Sequence, residues 1–136
     1  MRFMMLVKSA ESNRVPPKEL MDAIAKLAQD SSKAGTMITT GGLAPTAMST
    51  RVRVSGGQLT TTDGPFSEAK EVVGGYAVFE LKSKEEAIEG AKHFMELHKI
   101  HWPGWEGETE IRQILGPEDF CLEAEEHSRL QMGAKK

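Results

Sequence analysis

Apolar residues open the chain in a nearly unbroken run, Phe3-Met4-Met5-Leu6-Val7, closed by Lys8. A run without alternation suits a strand covered on both faces, so residues 2–8 are read as a strand inside a sheet. The period then changes. Leu20, Met21, Ile24, Leu27 and Ala28 recur every three or four positions and so share one face of a helix. Pro16-Pro17 suits its start, where a missing N–H costs nothing, and Gly35 suits its end. Asp22 and Lys26 are spaced for an ion pair on the outer face.

Residues 37–43 read as a second strand. From Thr50 to Ser55 the pattern alternates, with Arg51 and Arg53 on one side and Val52 and Val54 on the other. Gly56-Gly57 supplies the positive φ angles of a tight turn, and Gln58 to Thr62 returns as a hairpin expected to project from one end of the sheet. Gly75 to Lys82 is read as the next strand, with Ala77, Phe79 and Leu81 opposite Tyr76, Val78 and Glu80. Ser83-Lys84-Glu85-Glu86 is a capping box. It opens a second helix whose buried face is Ala87, Ile88, Ala91, Phe94 and Met95. Trp102-Pro103-Gly104-Trp105 stops it, because proline disfavours helix at the residue before it. Residues 109–115 form the last strand.

This order, β-α-β-(hairpin)-β-α-β, predicts an α+β domain over residues 1–117. Its core is a ferredoxin-like antiparallel sheet with two helices on one face, plus an inserted β-hairpin. The other sheet face, with Tyr76 and Val78, is partly apolar, so a homodimer packed face to face is expected. Residues 118–136 form a charged tail with Phe120, Leu122, Leu130 and Met132 interspersed, read as a short docked helix or a frayed end.

Composition excludes several function classes. At 136 residues, with 39% hydrophobic and 27% charged, the chain suits one globular domain with its own core. The net charge of −3 and scattered basic residues offer no stripe for nucleic acid. The N-terminal apolar run is too short for a signal peptide or a membrane span. A lone Cys121 cannot form an internal disulfide, which suits the reducing cytoplasm.

Asp63-Gly64-Pro65-Phe66, followed by Glu68-Ala69-Lys70-Glu71-Val72-Val73-Gly74-Gly75-Tyr76, resembles the DGPF family of the YCII-related superfamily. The likeness extends to Met4-Met5-Leu6, Gly41-Gly42-Leu43 and Arg51-Val52-Arg53. It implies a ferredoxin-like fold of the dimeric α/β barrel type, a homodimer and a bacterial source. Enzymes of the wider group use a His–Asp pair in a cleft. Asp63 stands in the place of the carboxylate, but no histidine lies between Pro16 and Gly35, where the first helix would supply one. The pair is therefore not carried over.

Asp63 has two readings. As a strand-end carboxylate it is a candidate general base in a lyase or isomerase type of reaction. As a turn residue it accepts bonds from the following amides, while Gly64 takes an unusual φ/ψ before proline and Phe66 plugs the core. Glu68 and Lys70, with Phe66, are candidate ligand contacts on the same loop. His98 and His101 are candidate acid–base residues, three apart near the end of the second helix. They could share a metal with Glu106, but a His-x-x-His pair without a third spaced ligand defines no metal site, and helix-end histidines also suit the dipole. Trp102 and Trp105 either clamp their turn or stack on a flat ligand. Neither a metal nor a cofactor is called for. The pattern favours a ligand-binding or regulatory dimer with a small-molecule cleft near Asp63, with the enzyme as the alternative.

Overall fold

The computed structural model describes residues 1–117 and Asp119. The expected tail helix and Cys121 lie outside them. Strand β1 (Arg2–Ser9) leads into helix α1 (Lys18–Lys33), and β2 (Met37–Gly42) follows. A short 3₁₀ turn, Thr46–Met48, precedes the hairpin β3 (Thr50–Ser55) and β4 (Gln58–Asp63). Then come β5 (Val72–Glu80), helix α2 (Lys84–His101) and β6 (Glu108–Ile114).

Four strands form one antiparallel sheet in the order β2-β5-β1-β6, the ferredoxin-like arrangement that the element order predicts. Phe3 lies opposite Phe79 and Met5 opposite Ala77, so these side chains share the helix-facing side. There Phe3 and Met5 pack with Ala87 and Ala91 of α2, flanked by Phe79, Leu81 and Ile111. Met4, Leu6, Tyr76 and Val78 share the other side. Lys8 crosses that side to Glu110 at 2.7 Å, joining β1 to β6.

Several boundaries differ from the expectation. Strand β5 begins at Val72, because Val72 and Val73 pair with Ser9 and Lys8 at the far end of the long β1. Gly74-Gly75 therefore lies within the strand, at a bulge where the register steps between Val7 and Lys8. Lys26 pairs with Asp30 at 3.0 Å and not with Asp22; both partners lie one turn away on an exposed face, so helical spacing alone does not choose. The cap at Ser83 accepts the Glu86 amide, while the Glu86 carboxylate reaches back to the Lys82 amide, one residue beyond a standard capping box.

Hairpin β3–β4 is a separate two-stranded sheet turned by Gly56 and Gly57 at φ +59° and +74°. Val52, Val54 and Leu59 on one of its sides are 71%, 72% and 74% exposed, so the hairpin does not rest on the domain. Two strands alone are marginal in water, so the hairpin depends on its base. The Gly64 amide donates to the Ser49 carbonyl at 2.8 Å, and buried Phe66 lies under the Arg51 guanidinium, 3.7 Å from ring centre to charge centre.

Candidate functional site

Helix α1 carries the stronger surprise. Only Leu20 of its apolar stripe is buried, while Ile24, Leu27 and Ala28 are half-buried and Met21 is exposed. Met21, Ile24, Leu27 and Ala28 line a cavity of about 1040 Å³ bounded by α1, α2 and the helix-facing side of the sheet. Met5, Met37, Ala77 and Phe79 form its sheet wall, and Gly90, His93, Phe94 and His98 its α2 wall. Volumes of this order hold small-molecule ligands.

His98 is the one buried polar side chain among the described residues, at 6% exposure. It continues the α2 stripe Ala87, Ala91, Phe94 at helical spacing, which places the imidazole inward instead of at the solvent-facing helix end. Its Nδ1 lies 2.9 Å from the Phe94 carbonyl oxygen. A carbonyl only accepts, so Nδ1 is assigned the proton. Burial lowers the imidazole pKa below its ordinary 6.5, opposed in part by that carbonyl. The ring is therefore neutral at pH 7. Nε2, the acceptor atom, has no hydrogen-bond partner among the described residues. Nor is it fully sealed from solvent, unlike the unpaired Thr109 Oγ1.

Aromatic rings enclose His98. Phe94 lies 4.7 Å away at 60°, and Trp105 lies 4.5 Å away at 37°. Trp105 in turn stacks with Trp102 at 6.0 Å, and the Arg14 guanidinium sits 5.4 Å from the Trp102 ring. His98, Trp102 and Trp105 also border a second hollow, of about 850 Å³, between α2 and β6.

Two loops that border the main cavity are tied together by hydrogen bonds. The Glu11 carboxylate accepts the Thr46 amide at 2.7 Å and also the Thr46 hydroxyl. The Thr46 hydroxyl oxygen accepts the Phe66 amide at 3.3 Å. These bonds hold the Glu11 carboxyl below its ordinary 4.5, the hydroxyl contributing most. The loop after β1 is thereby tied to the turn before the hairpin.

The loop residues singled out from sequence lie elsewhere. Asp63 is exposed at the end of β4 and accepts the Thr50 hydroxyl at 2.9 Å, across the hairpin from its paired strand. It borders neither cavity. Its bond thus goes to the neighbouring strand and not to the amides of its own turn, because β4 continues through Asp63 and keeps that residue extended. Gly64 holds no positive φ. A Cβ there would fall 1.6 Å from the Thr46 carbonyl oxygen, so the residue is glycine because backbone passes against backbone. Phe66 is buried at the hairpin base, and Glu68 is paired with Arg51. The Glu68 carboxyl is held low first by its own backbone amide and then by Arg51. Lys70 is exposed and makes no ion pair among the described residues. None of Phe66, Glu68 and Lys70 borders either cavity. His101 is half-buried at the last turn of α2, away from both cavities, so it does not join His98 in a site. No three metal-binding side chains cluster among the described residues.

That Glu11, Arg14 and buried His98 border one cavity was not legible. Only His98 left a trace in the sequence, through its place four residues after Phe94 and seven after Ala91.

The family model for the YCII-related domain matches residues 1–94. The chain belongs to the YCII-related domain family. The match runs from β1 into α2 and includes most of the cavity wall, but ends before His98 and the two tryptophans. No curated protein matches the chain. Among the described residues, no helix is long and apolar enough to cross a membrane.

Proposed function

We propose that this YCII-related protein is a homodimer of the DGPF branch that binds a small molecule in the cavity between α1, α2 and the sheet. The carrying observation is that Ile24, Leu27 and Ala28 face open volume instead of packing on the sheet. An amphipathic stripe left facing a hollow is stabilised when an apolar ligand fills it, since filling removes apolar surface from water. The DGPF branch rests on Asp63-Gly64-Pro65-Phe66 and the glycine pair that follows. The dimer rests on the second sheet face, where Met4, Leu6 and Tyr76 are half-buried and no helix among the described residues covers them. His98 borders the cavity and Asp63 does not, so the lyase or isomerase reading with Asp63 as base draws no support from the cavity.

Nile red, a neutral apolar dye, tests the reading. Its emission should rise on titration with the protein, and Ala28→Trp, which places an indole in the cavity, should abolish the rise while leaving far-UV circular dichroism unchanged. Equal emission with both proteins would sink the assignment.

A further inference from the structure

We propose that the cavity is selective for an uncharged, flat, mainly apolar molecule with one O–H or N–H donor, which it gives to His98 Nε2. This rests on the reading of the cavity as a binding site and names the chemistry of what fits there.

Three observations carry it. His98 is nine-tenths buried, and its Nδ1 proton is committed to the Phe94 carbonyl at 2.9 Å. A neutral imidazole has a single N–H, so the reachable Nε2 offers only a lone pair. The partner it lacks is a donor; an ether or carbonyl oxygen would meet it lone pair to lone pair.

The charges around the cavity set the second condition. Among the described residues, Glu11, Glu86 and Glu106 border it, against the single guanidinium of Arg14, with His93 beside them and no lysine. Arg14 is itself drawn over Trp102. A carboxylate or phosphate would face these acids with no lysine among the described residues to balance them and would need His98 protonated, which its burial resists. Anionic ligands are thereby disfavoured.

Shape supplies the third. The rings of Phe94 and Trp105 tilt against His98 and Trp102 stacks on Trp105, with Met5, Leu27 and Phe79 on other walls of the cavity. Flat apolar surface matches rings of this kind better than a branched or polar body.

Isothermal titration calorimetry with 2-naphthol, its methyl ether 2-methoxynaphthalene and 2-naphthoate separates the conditions. The naphthol should bind about tenfold tighter than the ether, the loss expected when a buried acceptor goes unpaired, and the naphthoate should bind weakest. His98→Phe should bring naphthol and ether to the same affinity. The comparison among ligands on the unaltered protein needs no variant, so it decides the matter even if His98→Phe does not fold. An ether as tight as the naphthol, or a naphthoate tighter than both, would overturn the proposal. If none of the three binds while Nile red does, this inference fails and the cavity reading survives; if Nile red also fails, both fall.

Discussion

Gly64 passes so close to Thr46 that a Cβ on the glycine would lie 1.6 Å from the threonine's carbonyl oxygen. This contact, together with the Phe66 amide on the Thr46 hydroxyl, seats the Asp-Gly-Pro-Phe turn on the 3₁₀ turn before the hairpin. Backbone meets backbone there, so no rotamer change relieves an added methyl. Gly64→Ala should cost at least about 2 kcal/mol by urea denaturation. Gly42→Ala, at a strand glycine with open space around it, should change stability by about 1 kcal/mol or less. Similar midpoints for the two variants would contradict the close approach.

Leu20 and Leu27 lie seven residues apart on the same face of α1, yet one is buried and the other borders the cavity. Leu20→Ala should cost about 3 kcal/mol, as removing a packed leucine does. Leu27→Ala should cost about 1 kcal/mol or less, because its side chain already meets open volume on one side. Equal losses would mean that α1 packs directly on the sheet.

His98 and Glu11 should leave separate marks on the pH dependence of stability. The folded His98 resists a proton that the unfolded chain takes up below pH 6.5, so its effect is to make stability fall as pH drops through and below that value. His98→Phe should remove this component. Glu11 has its carboxyl lowered in the fold, so its stabilisation is complete above 4.5 and is lost as pH falls below it. Glu11→Gln should flatten that lower window only. Urea midpoints across the acid range separate the two, and an imidazole titrating above 6.5 by NMR would refute the His98 assignment.

Light scattering coupled to size exclusion should report about twice the 14.9 kDa chain mass. Leu6→Lys, on the sheet face without helices, should shift the protein toward monomer while leaving the cavity's Nile red response in place. A monomeric unaltered protein would remove the dimer from the proposal.

Much of the fold was legible because it is written in local periods. The alternation at Arg51 to Ser55, the stripe from Leu20 to Ala28 and the cap at Ser83 each depend on a few neighbouring residues and appear where expected. The start of β5 was not legible. Whether Val72 and Val73 are loop or strand depends on Ser9 and Lys8, more than sixty residues earlier, being free to pair with them. The choice of Asp30 over Asp22 by Lys26 was equally hidden, since periodicity offers both.

The candidate site divides in the same way. By itself the sequence determined the ferredoxin-like order of elements and the turn at Asp63 to Phe66, because capping, turn chemistry and hydrophobic period act over a few residues. It also pointed to Asp63, whose carboxylate is now seen bonded to Thr50 on the hairpin. Only the tertiary structure decided that the stripe of α1 lines a hollow, that His98 turns inward beside Trp105, and that Glu11 fastens Thr46. An apolar stripe encodes which face leaves water, but how closely that face meets the sheet is set by the packing of elements distant in sequence.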